Sequence, residues 1–128
     1  MDTLPPITYD ATVVRTVDGD TVYVSVDGWP EPFNPIEARV DGIDTPESRT
    51  PPAKCEKEVR LGVIAKARAK ELLPPGTKVK ITWEHKHEKY GRLLGKITLP
   101  SGRDFAEILV REGHAVPYDG GTKQSWCR

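Results

Sequence analysis

The sequence lacks any long hydrophobic run. None of the apolar stretches among its 128 residues approaches the length of a signal sequence or a membrane-spanning helix. We therefore expect a soluble monomer with no membrane partner, cytoplasmic by default, although a mature exported form would have the same character. A chain of this length has room for one ordinary hydrophobic core, so we expect a single domain over residues 1–128.

The sequence also lacks net charge, since 19 Lys and Arg balance 19 Asp and Glu. Neutrality alone argues against a polyanionic partner, but the distribution is uneven. Residues 1–48 carry two basic and ten acidic side chains, residues 49–96 carry thirteen and five, and residues 97–128 carry four of each. An acidic block beside a basic block suits a cation site that receives a phosphate backbone, while ordinary solvated charge explains the blocks about as well before the fold is considered.

Zinc ligands and aromatic residues are scarce. His85-Lys86-His87 is the only candidate for a zinc pair, and a polar turn explains it better. Aromatic residues make up 7% of the chain and do not alternate with basic residues along one strand, as a stacking platform for single-stranded nucleic acid would. Zinc chemistry and passive stacking are therefore both disfavoured.

Short strands and two helices are what the sequence does contain. Runs rich in β-branched residues predict five strands, over residues 11–17, 21–26, 36–43, 78–84 and 93–99. A helix is predicted between the third and fourth strands, and a second one follows the fifth. This order is typical of an OB-type barrel, so the predicted fold is a β-rich α+β barrel of five strands with two packed helices.

Each predicted helix has a packing face and a stop signal. The first begins near Cys55 and ends before Pro74-Pro75-Gly76, and apolar spacing assigns its packed face to Leu61, Ile64, Ala65, Arg68 and Leu72. Asp104 predicts the cap of the second helix, with Glu107 as its capping-box partner and Gly113 at its end. Its predicted buried residues are Phe105, Ile108 and Leu109.

Carboxylates follow strands that are expected to be neighbours. Asp20 and Asp44, together with the carbonyl of Thr45, would supply hard oxygen ligands for calcium or magnesium. Glu47 follows Asp44 by three residues, which places it to act as a general base on water beside such a cation.

Arg39 and Arg92 add two guanidinium groups, which can form paired hydrogen bonds to phosphate oxygens. Taken singly, each acidic or basic residue is explained by a turn or by a solvated surface. Taken together, they predict metal-assisted phosphodiester hydrolysis.

Three motifs resemble those of the staphylococcal (micrococcal) nuclease-type thermonuclease family. They are Asp-Gly-Asp-Thr-Val at residues 18–22, Arg39 followed by Asp44-Thr45-Pro46-Glu47, and Lys89-Tyr90-Gly91-Arg92. The resemblance runs from about Val13 to Gly113. It implies an OB barrel that hydrolyses DNA and RNA, single-stranded or locally open, with calcium, with little sequence preference and with 3′-phosphate products.

The resemblance also assigns roles by motif position. The implied calcium ligands are Asp20, Asp44 and the Thr45 carbonyl, with Asp18 outside the direct ligands. The implied catalytic residues are Arg39, Glu47 and Arg92. The implied substrate contacts are Lys89 and Tyr90 on a terminal phosphate and Tyr118 on a base.

Several features depart from that family. Only ten residues follow Tyr118, so the family's C-terminal helix is expected to be shortened or absent, with Trp126 packing the tail onto the barrel. Asp41 is an additional carboxylate, either solvated or near the cation. Cys55 and Cys127 either form a disulfide that ties down this tail or remain free thiols. The alternative function is a non-catalytic OB-fold module that binds nucleic acid or protein.

Overall fold

The computed structural model describes residues 4–128, so the first three residues of the predicted domain lie outside the described residues. The strands are β1 (Ile7–Asp18), β2 (Thr21–Val26), β3 (Ile36–Val40), β4 (Ile43–Asp44), β5 (Lys78–Trp83), β6 (Leu93–Thr98) and β7 (Val116–Pro117). The helices are α1 (Glu56–Leu72) and α2 (Phe105–Arg111).

Five strands close into a barrel in the order β1-β2-β3-β6-β5, and the short strands β4 and β7 pair separately. The β3–β6 pair is parallel, and the other barrel pairs are antiparallel. Alternate side chains point inward along each strand, so Val13, Val24, Ile81 and Ile97 are buried in the centre. The predicted OB-type barrel is therefore confirmed.

Two strand boundaries differ from the prediction by more than one residue. β1 begins at Ile7 rather than at residue 11, because its first half pairs with β5 while its second half pairs with β2. The predicted third strand, 36–43, stops at Val40. Gly42 has a φ of 90°, a left-handed conformation that glycine adopts easily. The chain turns there, so that β4 pairs with β7 instead of extending β3.

Helix α1 packs mainly through small residues, and only part of the predicted apolar face is confirmed, since Ala65 is buried and Leu72 packs against the core. Ile64 is 52% exposed, which corrects its assignment to that face, and the buried positions are Glu58, Gly62, Ala65 and Ala69. A Cβ at Gly62 would lie 2.3 Å from the carbonyl oxygen of Glu47. Small side chains prevail because the helix lies directly on the backbone of the segment that carries Glu47.

Helix α2 is capped as predicted by Asp104, whose carboxylate accepts a hydrogen bond from the backbone N–H of Ala106 at 3.1 Å. Glu107 instead pairs with Arg111, at 3.6 Å. Gly113 follows the helix with a φ of 81°. Residues 118–128, all of them described, contain no helix. In this stretch the prediction of a shortened or absent C-terminal helix is confirmed. Between residues 4 and 128, neither helix is long and apolar enough to cross a membrane.

Candidate active site

The turn after β1 and the segment that begins with β4 come together on one side of the barrel. Gly19 lies against Thr45, and a Cβ at Gly19 would be 3.0 Å from the Thr45 Cγ2 atom. Asp44 and Thr45 are each 3% exposed. The absence of a side chain at Gly19 thus lets the two carboxylate-bearing segments approach closely.

Asp20 and Arg39 form an ion pair across neighbouring strands. The Asp20 backbone carbonyl accepts from the Val40 N–H at 2.9 Å, and an Asp20 carboxylate oxygen lies 3.5 Å from Arg39 Nη2. The guanidinium also donates to the backbone carbonyls of Val40 at 2.6 Å and Ile43 at 2.8 Å. These bonds to rigid backbone fix the position of the Arg39 head group.

Asp44 is held by two residues of the C-terminal tail. Lys123 Nζ lies 3.1 Å from Asp44 Oδ1, and Trp126 Nε1 donates to Asp44 Oδ2 at 3.3 Å. In the structure, Cys127 forms a disulfide with Cys55, which immediately precedes α1. The sequence predicted that Trp126 packs the tail, but no spacing or motif indicated that Lys123 reaches Asp44.

Glu47 is positioned by Glu58, a residue that the sequence analysis missed. Glu58 is 6% exposed, and its carboxylate accepts from the backbone N–H of Glu47 at 3.0 Å and of Lys54 at 2.9 Å. An acidic residue in the first turn of a predicted helix was the only available signal, and it is usually read as a helix-dipole residue.

The Glu47 carboxyl lies in a strongly negative environment. Burial raises its pKa most, and the negative charges of Asp20, Asp18 and Asp44 raise it further, while Lys123 opposes them. Asp18 itself accepts a hydrogen bond from Ser48 Oγ at 2.8 Å. Four carboxylates therefore interact electrostatically at one site.

Arg92 pairs with two other acidic residues. Its Nη2 lies 2.8 Å from Glu88 and its Nη1 3.5 Å from Glu37 on β3. The hydrogen bond from Arg92 lowers the pKa of Glu88 to about 2. Glu37 is two residues from Arg39 on the same strand, so both side chains point to the outer face of β3, where Arg92 contacts Glu37.

The remaining predicted residues take part in contacts between lysines and aromatic or acidic side chains. Tyr90 is 71% exposed, with Lys89 Nζ 5.0 Å from the centre of its ring. Tyr118 has Lys123 Nζ 5.7 Å from its ring centre, which links it to the residue that contacts Asp44. Asp41 pairs with Lys86 at 3.2 Å.

A family profile described as "Staphylococcal nuclease homologue" matches residues 37–125, which is more than half of the chain. The chain belongs to this family. The matched residues include the segment from Arg39 to Glu47, the charged turn that carries Arg92, and the tail as far as Ser125.

This staphylococcal nuclease homologue is similar to several curated proteins. It is 34% identical over 114 residues to endonuclease YhcR of Bacillus subtilis (strain 168), covering 86% of this chain and 9% of that protein. It is 35% identical over 119 residues to the SPbeta prophage-derived endonuclease YokF of the same strain, covering 89% of this chain and 37% of that protein. An uncharacterized endonuclease of Escherichia coli O157:H7 is 27% identical over 107 residues, covering 84% of this chain and 60% of that protein.

The chain thus spans less than two thirds of the length of each of these relatives. All three relatives are named as endonucleases.

The donor set fits a hard cation in its chemistry. Asp20, Asp44 and the Thr45 carbonyl are oxygen donors of the kind that calcium prefers, and the crowding of negative charge around Glu47 favours a cation nearby. Among residues 4–128, no group of three or more His, Cys, Asp or Glu side chains converges as a metal site. Two carboxylates and a backbone carbonyl are therefore the available set, and Lys123 contacts one of them.

Proposed function

We propose that this domain is a calcium-dependent nuclease that hydrolyses DNA and RNA with little sequence preference and leaves 3′-phosphate ends. The observation that carries the proposal is the buried Asp44 carboxylate, with Asp20, Glu47 and the fixed guanidinium of Arg39 around it. Asp44, Thr45 and Asp20 would hold calcium, which when bound supplies positive charge for the phosphoryl oxygens and for the attacking water.

Glu47 is the proposed general base. Its carboxyl takes a proton from water as the water oxygen bonds to phosphorus and the bond from phosphorus to the 5′ oxygen breaks. The 5′ oxygen leaves as a hydroxyl after taking a proton from solvent, and the phosphate stays on the 3′ side. The Glu58 hydrogen bond to the Glu47 N–H orients the base for this step.

Arg39 and Arg92 are proposed to stabilise charge on the phosphate. The bonds from Arg39 to two carbonyls hold its guanidinium in place before substrate binds, so little reorganisation is needed. Arg92 would exchange its longer contact, the 3.5 Å contact with Glu37, for a phosphate oxygen.

Lys89, Tyr90 and Tyr118 are proposed to contact the substrate through a terminal phosphate and a base face. The exposed ring of Tyr90 is available for such contact. None of these contacts involves the 2′-hydroxyl or a base edge, so we expect both DNA and RNA to be cleaved. Substrates that are single-stranded or locally open would be preferred, because their bases are free to stack.

The test is to incubate labelled single-stranded DNA and RNA with the protein in calcium, magnesium or chelator. We expect cleavage of both polymers with calcium and none with chelator. On strands with a fluorescent 5′ label, the labelled fragments should carry 3′-phosphates, detected as a mobility shift after phosphatase treatment. Replacing the buried ligand (Asp44→Asn) should slow cleavage by about a hundredfold or more, because it weakens the charge stabilisation of the transition state.

The matched control is Asp10→Asn, which removes an exposed carboxylate that pairs with Lys80 on the barrel surface. This variant should cleave at the wild-type rate. Binding without cleavage under every cation condition would instead support the non-catalytic module. Undiminished cleavage by the Asp44→Asn variant would contradict the proposed site.

A further inference from the structure

A second feature lies beside the candidate active site. It is a cavity of about 630 Å³ between the end of β1, the loop after β4 and helix α1. Four of its ten lining residues are cationic, and they are Arg15, Arg49, Lys66 and Lys70. We call these four residues and the cavity between them the basic groove.

The basic groove and the active site share a boundary. Asp18 and Ser48 line the groove, and they are joined by the 2.8 Å hydrogen bond from the Ser48 hydroxyl. Asp18 is also close enough to Glu47 to raise the pKa of that carboxyl. Arg49 follows Glu47 by two residues. A strand bound at the active site therefore enters or leaves next to the basic groove.

The cations of the basic groove are available for a ligand. Within the part of the chain that the structure describes, none of the four forms an ion pair, whereas Lys80, Lys86 and Lys96 elsewhere on the barrel each pair with an acidic residue. Lys66 and Lys70 are four residues apart on α1 and so lie on one face of the helix. The Arg15 guanidinium lies 4.5 Å from the centre of the Tyr23 ring.

We propose that the basic groove binds the phosphate backbone of the nucleic-acid strand on one side of the scissile bond. Four unpaired cations around one cavity attract a chain of regularly spaced anions, and phosphodiesters are the anions that the neighbouring site handles. The inference rests on the proposed nuclease function. It explains how a chain with no net charge holds a polyanion, because four cations without ion-pair partners lie together around one cavity.

The test measures binding without catalysis. Fluorescently labelled dT4 and dT12 are titrated with protein in chelator, by anisotropy, over a series of salt concentrations. The double variant Lys66→Gln/Lys70→Gln is compared with wild type and with Lys78→Gln/Lys96→Gln, which removes the same charge from exposed lysines on β5 and β6. Arg49→Gln is an independent groove variant. Circular dichroism verifies that every variant is folded.

We expect the groove double variant to bind dT12 about tenfold more weakly than wild type at low salt. The slope of the logarithm of the binding constant against the logarithm of the salt concentration should become shallower by about 1.4. Each of the two lost phosphate contacts on a single strand removes about 0.7 from this slope. The dT4 affinity and the control variant should change little, and Arg49→Gln should weaken dT12 binding in the same direction.

An equal loss of affinity for dT4 and dT12 in the groove double variant would identify a site for small anions and overturn the proposal. An unchanged dT12 affinity in that variant, or the absence of dT12 binding by wild type, would also overturn it. These outcomes leave the nuclease proposal separately testable, because the calcium-dependent cleavage assay does not depend on the groove. Conversely, dT12 binding that depends on the groove, without cleavage in the presence of any cation, would support the groove proposal and contradict the nuclease proposal.

Discussion

At the scale of single residues, Glu58 determines where Glu47 lies. It is a buried carboxylate whose two oxygens each accept a backbone N–H, one from Glu47 and one from Lys54. A charged group is costly to bury unless it is hydrogen-bonded in this way. Glu58 therefore fastens helix α1 to the loop that carries the proposed base.

Replacing this carboxylate should affect stability and activity together. Because Glu58→Ala leaves two backbone N–H groups without their acceptors, we expect it to lower the free energy of unfolding by about 2–4 kcal/mol. Cleavage should also slow, since Glu47 loses its anchor. Urea unfolding and a cleavage assay below the unfolding temperature measure both effects. A free energy of unfolding within about 0.5 kcal/mol of wild type, the range of a neutral surface substitution, would contradict this role.

The Glu88–Arg92 pair predicts a specific pH dependence of stability. The pKa of Glu88 is about 2 in the fold and about 4.3 in an unfolded chain. Because the folded-state pKa is lower, the ionised carboxylate stabilises the protein fully above about pH 4.3, and this contribution is lost as the pH falls towards about 2. Unfolding measurements on wild type and Glu88→Gln should differ at pH 7 and converge near pH 2. A difference that stays constant over this range would contradict the ion pair.

At the scale of elements, helix α1 approaches the active-site loop more closely than any side chain would allow. Gly62 faces the Glu47 carbonyl, and an added Cβ would lie 2.3 Å from it. Gly62→Ala should therefore lower the free energy of unfolding by about 1–3 kcal/mol through overpacking, although alanine is normally the better helix former by about 1 kcal/mol. The same substitution should slow cleavage, because relief of the clash moves Glu47.

The control for the helix prediction is the reverse exchange at an exposed position of α1. Because glycine is the poorer helix former, Ala67→Gly should lower the free energy of unfolding by about 1 kcal/mol without affecting cleavage. Urea unfolding of both variants measures the contrast. A Gly62→Ala variant more stable than wild type would show that the helix and loop are not in the contact described.

The C-terminal tail contacts Asp44, one of the proposed calcium ligands. Lys123 places an ammonium on one oxygen of Asp44, and the Cys55–Cys127 disulfide closes the tail onto α1. A divalent cation bound to that oxygen would be repelled by this ammonium. Lys123→Met should therefore bind calcium about tenfold more tightly, since a nearby positive charge that opposes cation binding is removed.

Isothermal titration of calcium chloride into the protein measures this affinity. Lys96→Met, which removes a lysine that pairs with Glu84, is the matched control and should bind calcium as wild type does. Cys127→Ser should shift the affinity in the same direction as Lys123→Met, because it releases the tail. An equal or weaker affinity in the Lys123→Met variant would mean that the ammonium does not compete with the cation.

At the scale of the whole molecule, the sequence predicted the barrel and missed several contacts between distant segments. Strand and helix order followed from local signals such as the β-branched run of β2 and the capping Asp104. The carboxylate-bearing turns were also local, so Asp20, Asp44 and Glu47 were named as candidates. Their convergence depends on the barrel closing, and the structure supplies that geometry.

Contacts that join remote segments left no local signal. Glu58 and Glu47 are eleven residues apart in the sequence, and Lys123 and Asp44 are 79 residues apart. The assignment of Ile64 to the packed face was wrong because periodicity ranks residues by hydropathy, whereas the close approach of α1 selects small side chains. Backbone proximity of this kind is a property of the assembled fold.

The single-turnover rate of cleavage of a labelled single-stranded oligonucleotide in calcium tests most directly whether Glu47 acts as the general base. Wild type is compared with Glu47→Gln and with Glu107→Gln, which makes the same change at an exposed residue of α2. We predict a loss of about a hundredfold or more for Glu47→Gln, as is typical for a lost general base, and none for Glu107→Gln. Equal rates for Glu47→Gln and wild type would contradict the assignment of hydrolysis to this site.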